Sequence, residues 1–146
     1  MIFYLLDPVK GRGRELARTT LAQPDTDVDW SVSTDGRHIA ISTPLLLPEQ
    51  VRILDLPNGK ERIVALPKGW SIWSMTWSAN NESLFLAAQA KDGYFLTRLE
   101  LDGRFRVLFD RGRNQWLGRV TPAPDGRRLA FAQQSFQSNA WLVEDF

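Results

Sequence analysis

The fold is decided by residues 33–42, STDGRHIAIS, because the chain contains this stretch more than once. It returns as APDGRRLAFA at residues 123–132, and a degenerate copy, SANNESLFLA, lies between them at residues 78–87. The turn positions of the three copies lie 45 residues apart: Gly36, Asn81 and Gly126. Self-similarity at a fixed period of this length predicts a repeat architecture.

A second tight turn occurs in each unit. Pro57-Asn58-Gly59 and Leu101-Asp102-Gly103 lie between apolar runs, and Val9-Lys10-Gly11 has the same place near the start. Asn-Gly and Asp-Gly pairs in this setting are typical of hairpins, because both residues tolerate positive φ. The runs are rich in β-branched and aromatic residues, and none keeps helical spacing for about a dozen residues. Each unit is therefore predicted to contain four short strands, the last of them at Ile63–Leu66 in the first unit and at Phe105–Phe109 in the second.

The strand after the first turn has no polar face. Ile39-Ala40-Ile41 and Leu129-Ala130-Phe131 carry bulky side chains on one side and alanine on the other. In a strand with one face in water, apolar residues would alternate with polar ones. Both strands are therefore predicted to lie in sheets that are sandwiched between neighbouring sheets, as in the blades of a propeller.

A family resemblance rests on these same motifs. Trp77-Ser78-Ala79-Asn80-Asn81 and TPAPDGRRLAF at residues 121–131 are similar to the tryptophan-serine-proline-aspartate-glycine signature of TolB-like, WD-repeat-like blades. Val32 and Pro122 stand where Trp77 fits the signature, and the middle unit lacks Asp-Gly. The resemblance implies an all-β fold, a β-propeller fragment of about three four-stranded antiparallel blades, two complete and two partial.

The repeat also predicts how the chain divides. Residues 1–20 supply the outer strands of a preceding blade, 21–67 and 68–110 are whole blades, and 111–146 form a blade without its outer strand, ending at Asn139–Val143. Propellers need four or more blades. The chain is therefore the C-terminal part of a larger propeller, or copies of it associate to complete a ring. Both alternatives predict partners for the blade faces, by self-association or by pairing with a missing N-terminal half.

Composition excludes several classes of partner. The 18 basic and 17 acidic residues leave a net charge of +1, which gives no general attraction to nucleic acid or acidic membranes. The absence of cysteine excludes disulfides and thiolate metal sites. No stretch approaches the roughly 18 apolar residues of a membrane helix, and Met1–Leu6 lacks the features of a signal peptide. We expect no nucleic-acid partner, no membrane and no cofactor, while a cytoplasmic or periplasmic location stays open.

No catalytic residues are predicted. His38 is the only histidine, and it occupies a strand-start position that Ser83 and Arg128 hold in the other units. A hydrolytic triad needs a histidine with a nucleophile and an orienting acid, and the G-x-S-x-G elbow is missing.

A metal site is a remote alternative at one place, the acidic run of Asp25, Asp27 and Asp29. The run resembles the start of a calcium loop, but Trp30 and Gly36 stand where such a loop continues with glycine and ends in glutamate. A solvated loop between blades is the main expectation.

The candidate binding residues lie in the segments that enter the first strand of a blade: Trp70, Trp73, Trp116 and Arg119. The resemblance implies that such segments cross one face near the central channel, where ligands and partners bind. Aromatic residues there are candidate anchors, and the alternative is that they fill the core between blades. Trp30 and Trp77 precede the turns and are expected to pack between blades.

The resemblance implies a non-catalytic module for protein–protein or ligand recognition, as part of a larger bacterial sensor, signalling or TolB-like protein. One alternative is a cap over a prolyl-oligopeptidase-like hydrolase whose catalytic domain lies outside this chain. A self-assembling half-propeller is another. The sequence does not identify the partner.

Overall fold

The computed structural model describes residues 1–11, 13–20, 28–42, 50–110, 112 and 115–135. These residues form strands and turns, and no helix among them could cross a membrane. The strands are β1 (Ile2–Tyr4), β2 (Glu15–Arg18), β3 (Asp29–Val32), β4 (His38–Ser42), β5 (Gln50–Asp55), β6 (Glu61–Ala65), β7 (Ser71–Trp77), β8 (Ser83–Ala90), β9 (Gly93–Glu100), β10 (Phe105–Asp110), β11 (Gln115–Pro122) and β12 (Leu129–Ser135). The strand expected at Asn139–Val143 lies outside the described residues.

Each strand pairs with its neighbour in sequence. Strands β3 to β6 form a first sheet and β7 to β10 a second sheet, both four-stranded and antiparallel. Two further antiparallel pairs, β1–β2 and β11–β12, lie before and after them along the chain. The predicted all-β fold of four-stranded antiparallel sheets is confirmed. The division of the chain at residues 20, 67 and 110 stays a prediction.

Strand β6 differs from the prediction, which placed it at Ile63–Leu66. It begins at Glu61, directly after the Asn58-Gly59 turn, because Leu54 of β5 already pairs with Glu61. The Asp55 N–H closes the turn by donating to the Lys60 carbonyl at 2.8 Å. The apolar runs of the sequence do not indicate that β6 begins at Glu61, because an outer strand tolerates charged residues at its exposed positions.

The repeated turn is a closed set of hydrogen bonds. The Ser33 hydroxyl donates to Asp35 Oδ1 at 2.6 Å and accepts the N–H of His38 at 2.9 Å. This hydroxyl and the Arg37 amide lower the pKa of Asp35. Ser78 repeats the pattern, donating to Asn80 at 2.8 Å and accepting the amide of Ser83 at 3.1 Å. The signature residues therefore shape a turn, in which His38 takes part through its backbone N–H.

Both faces of the first sheet are buried. Ile39 and Ile41 pack towards the β1–β2 pair, with Phe3 and Ala17 against them. Ala40 lies on the opposite face, in the large cluster shared with the second sheet. The three residues Ile39, Ala40 and Ile41 are 2%, 0% and 1% exposed, as expected for a strand without a wet face.

Directed hydrogen bonds join the first and second sheets. The Trp77 indole N–H donates to the Ser31 carbonyl at 3.0 Å, and its ring is buried between the sheets as predicted. The N–H and hydroxyl of Thr34 both donate to Asn81 Oδ1 at 2.8 Å, which links one repeated turn to the next. Trp30 differs from its prediction, because it is 51% exposed, and its ring meets the edge of the Phe3 ring at 5.7 Å between centroids.

The contact between the second sheet and the β11–β12 pair is apolar. Leu117 and Val120 are buried there, and the Phe131 ring lies 5.3 Å from that of Phe109. The side chains that link the first two sheets have no counterparts here, because Pro122 replaces Trp77, Ala79 replaces Thr34 and Gly126 replaces Asn81.

Substitutions of Asn81 test the hydrogen-bonded link between consecutive turns. It adopts a φ of 59°, which costs a non-glycine residue about 1 kcal/mol or more. We expect Asn81→Ala to lower the free energy of unfolding by about 2 kcal/mol, because it keeps the strained φ and loses the bonds to Thr34. Asn81→Gly loses the same bonds but relieves the backbone, so its loss should be about half as large. Urea denaturation measures both, and equal losses would show that the turn carries no strain.

Candidate binding face

The first strands of the successive sheets are neighbours. Strand β3 contacts β7, and β7 contacts β11. One position in these strands recurs at the 45-residue period and carries three different polar side chains: Asp29, Ser74 and Arg119. Asp29 pairs with Ser42 and Ser74 with Ala87, so the two occupy the same register in their sheets. We call these three residues the first-strand row.

Asp29 is held between the first two sheets. Its Oδ2 accepts the backbone N–H of Met75, on β7, at 2.7 Å. Burial raises the pKa of this carboxyl, against the lowering effect of the Met75 and Trp30 amides and of the Arg119 charge. The Asp29 carboxylate is therefore partly shielded from water, and the charge of Arg119, two sheets away, favours its ionised form.

Arg119 stands at an irregular point of β11. It has a φ of 36°, which is uncommon for a residue with a side chain. The register between β11 and β12 shifts at this residue, from Gly118 opposite Ala132 to Val120 opposite Phe131. Such bulges re-aim a side chain and bend the strand. Here the result is an exposed guanidinium at the end of the row.

Two indoles are carried by the same first strands as the row. Trp73 sits at the bulge of β7 and donates from its Nε1 to Gln89 Oε1 at 3.1 Å, with its ring half-buried. Its equivalent 45 residues later is Gly118, and the Trp116 ring occupies the space that a Cβ atom at Gly118 would need. Both sheets therefore place an indole over the same point of the first strand.

Trp70 is placed differently from the other candidates. Its ring centroid lies 5.0 Å from that of Phe95 and 4.7 Å from that of Phe105, packed against the core between the first and second sheets. Its ring is partly buried, and Trp70 stays a predicted binding residue with core packing as the alternative. Trp73, Trp116 and Arg119 stay predicted binding residues, because no bound partner tests them.

The acidic run contributes one described residue to this face. Asp25 and Asp27 lie outside the described residues, so the remote calcium alternative stays a prediction. Asp29 binds a backbone amide of β7. Within the described ranges, no three His, Cys, Asp or Glu residues gather closely enough to hold a metal ion.

Two residues of the face were not identified from the sequence. Ser74 belongs to the row, and Gln89 fixes the Trp73 indole. Ser74 was accessible from the sequence, because the 45-residue period that relates the turns also relates it to Asp29 and Arg119. Gln89 was not, because its role depends on the bulge that turns Trp73.

Comparisons with known proteins identify the fold. No family model matches the chain, and no curated protein does. Among solved structures, a candidate TolB from Agrobacterium tumefaciens matches with a TM-score of 0.68 and 17% sequence identity. The match covers 90% of this chain and 45% of that one, so the chain spans less than half the length of that protein. The likeness shows a TolB-like β-propeller fold.

The raised pKa of Asp29 predicts that the stability of the fold depends on pH in one direction. Its raised pKa means that the folded chain holds the proton more tightly than the unfolded chain, so stability falls as pH rises from about 4 through the folded pKa. Asn at this position keeps an acceptor for the Met75 N–H and cannot ionise. We expect Asp29→Asn to gain stability relative to the parent chain between about pH 4 and pH 7 in urea unfolding.

Asp102 provides a control of opposite sign. The Arg104 amide and side chain lower its pKa, so its stabilising effect is present at neutral pH and lost as pH falls through the folded pKa. Asp102→Asn should therefore lose stability relative to the parent as pH rises from its folded pKa through the ordinary aspartate value. A parallel response of the two variants would contradict the assignment of Asp29.

Proposed function

We propose that the chain is a non-catalytic recognition module that binds a segment of a protein partner across the first-strand row and the two indoles beside it. The observation that carries the proposal is the row of Asp29, Ser74 and Arg119 on neighbouring first strands, two of which also carry a partly buried indole, Trp73 directly before Ser74 and Trp116 against Gly118. Half-exposed indoles supply large, rigid contact areas, and binding energy concentrates on such residues.

The charges of the row favour an extended peptide over an apolar ligand. Arg119 offers a fork of donors to a carboxylate or carbonyl group. Asp29 offers an acceptor on the far side of Ser74. A peptide lying across three first strands meets a cation, a hydroxyl and an anion in turn, which gives the contact a direction. Membership of a larger sensor, signalling or TolB-like protein is part of this proposal, and the hydrolase-cap role stays the alternative.

Selection from a phage-displayed peptide library tests the proposal on the intact chain. We expect enriched peptides whose affinity falls about tenfold or more with Trp73→Ala or Arg119→Ala. Trp30→Ala is the matched control, because Trp30 is an exposed indole on a first strand that faces Phe3 instead. Its affinity should stay within about twofold of the parent value. Selected peptides that bind all three variants equally would place recognition elsewhere.

The open face of the β11–β12 pair supports a second part of the proposal, association with another blade. Ala132 is exposed, whereas its equivalents Ser42 and Ala87 are 1% and 0% exposed beneath the following sheet. Within the described part of the chain, no strand covers this face of β12. Small side chains on it fit the close approach that the first and second sheets make to their neighbours. In the isolated chain a second copy is the occupant that offers a matching sheet.

Light scattering coupled to size exclusion measures this association. We expect a dimer or larger species at micromolar concentration. Ala132→Glu should shift it to monomer, because a carboxylate would be buried against apolar surface. Lys68→Glu places the same side chain in the connection before β7 and should change nothing. A stable monomer of 16.7 kDa for the parent chain would contradict the proposal.

A further inference from the structure

The β1–β2 pair corresponds to the two outer strands of a whole sheet. In the turn that joins them, the Gly11 N–H donates to the Asp7 carbonyl at 2.9 Å. The turn between β5 and β6 repeats this bond 48 residues later, where the Gly59 N–H donates to the Asp55 carbonyl at 2.8 Å. Counted from these turns, β1 has the place of β5 and β2 has the place of β6.

The β11–β12 pair corresponds to the two inner strands. Its turn carries Gly126 at the position that Gly36 and Asn81 hold 90 and 45 residues earlier. Strands β11 and β12 therefore have the places of β3 and β4 in the first sheet. Among the described strands, β12 pairs with β11 alone and β1 pairs with β2 alone. The chain thus carries the inner half of one sheet, the outer half of another, and two whole sheets between them.

Two leucines after β1 show what the outer half lacks. Leu5 and Leu6 are 52% and 64% exposed. Their equivalents 48 residues later, Ile53 and Leu54, are 1% and 3% exposed and lie beside β4 in the whole sheet. Within the described ranges, no strand like β4 lies beside the two leucines. A strand with the sequence pattern of β4 would bury them.

The first sheet shows the same gap on its face. Trp30 and Val32 of β3 are 51% and 44% exposed on the side that meets the β1–β2 pair, where the Trp30 ring contacts Phe3. Their equivalents 45 residues later, Met75 and Trp77, are 5% and 1% exposed, because they pack against a whole sheet. The β1–β2 pair covers only the outer part of this face, and its inner part lacks two inner strands.

We propose that the β11–β12 pair of one copy and the β1–β2 pair of a second copy form a single four-stranded antiparallel sheet, with β12 beside β1. The proposal rests on the association with another copy that forms the second part of the proposed function, and it specifies the geometry of that association. The register follows from the first sheet, where Ala40 lies opposite Ile53. At the equivalent positions, Ala130 of one copy lies opposite Leu5 of the other.

The composite sheet also covers the open face of β3. In the whole sheets, Ala40 packs in one cluster with Trp77 of the next first strand. Ala130 has the position of Ala40, and Val32 has the position of Trp77. The small side chains of β12 in one copy therefore pack on β3 of the second copy, as those of β4 pack on β7. One junction accounts for the exposed leucines and for the exposed residues of β3.

The same arrangement determines the number of copies. Each copy brings two whole sheets and half a sheet at either end, so it adds three sheets to a closed ring. One copy gives three sheets, two copies give six and three copies give nine. Propellers close with about four to eight blades. A ring of two copies fits this range, and its two junctions are identical.

Cysteine cross-linking tests the register, because the chain contains no cysteine. Leu5→Cys and Ala130→Cys are made as separate full-length variants, mixed and oxidised. Opposite residues of antiparallel strands have Cα atoms about 4.5–5.5 Å apart, which a disulfide can span. We expect the mixture to form a covalent dimer, and either variant alone to form at least about tenfold less of it.

Val9→Cys is the matched control for the cross-link. Val9 is 89% exposed in the turn after β1, so chance collisions would oxidise it at least as readily as Leu5→Cys. Mixed with Ala130→Cys, it should react at least about tenfold more slowly than Leu5→Cys. Equal rates would overturn the proposal. A dimeric parent chain without the Leu5→Cys cross-link would overturn it too, and is the result expected if the strand predicted at Asn139–Val143 pairs with β12 instead.

A charge on the covered face tests the packing. Val32→Glu should leave the single chain folded, because Val32 is exposed there, and should raise the dissociation constant of the dimer at least about tenfold. Val9→Glu should keep the constant within about twofold of the parent value. Light scattering over a dilution series measures both. A dimer that Val32→Glu leaves intact overturns this geometry while association itself stands, whereas a monomeric parent chain overturns both. Peptide binding at the first-strand row, measured on the same variants, tests the recognition proposal separately.

Discussion

The first and second sheets each have two apolar faces, and each of these faces is covered by a neighbouring sheet or strand pair. This constraint follows from strands such as β4, where Ile39 and Ile41 point one way and Ala40 the other. A single sheet cannot satisfy it, because burial of one face leaves the other in water. Stacking is therefore a condition of folding. It also brings the first strands of successive sheets together, and with them the residues of the first-strand row.

The sheets meet that condition in two physically different ways. Between the first and second sheets, burial is combined with directed hydrogen bonds from Trp77, Thr34 and the Met75 amide. Between the second sheet and the β11–β12 pair, Leu117 and Val120 pack without those links. Apolar contact is non-directional, whereas a hydrogen bond is lost once its geometry is lost. The first junction fixes the orientation of its sheets, and the second mainly holds them together.

The sequence was most informative where the backbone itself restricts the residue. Positive φ at the turns selects Gly36 and Gly126, and the alternation of Ile and Ala around Ala40 specifies a buried strand, so the all-β sheets were predictable. Strand starts such as Glu61 were not, because pairing overrides apolarity at an outer strand.

The candidate sites depended on contacts between residues that are distant in sequence. Trp70 and Trp73 lie three residues apart and are both partly buried, but Trp70 packs on Phe95 and Phe105, while Trp73 sits at a bulge and bonds Gln89. The first-strand row was within reach, because period and register agree at Asp29 and Ser74.

The unequal junctions have a consequence for how the chain opens. Subglobal unfolding releases the contiguous unit that is held least strongly. The β11–β12 pair lacks the indole bond of Trp77 and the Thr34–Asn81 link, so of these two junctions we expect its junction to open more readily. We therefore expect backbone amides of β11 and β12 to exchange with solvent deuterium faster than those of β4 and β8. Arg119 and Trp116 belong to the β11–β12 pair, whereas Asp29 and Trp73 lie on the first and second sheets, so such an opening would divide the candidate binding face without unfolding the rest of the stack.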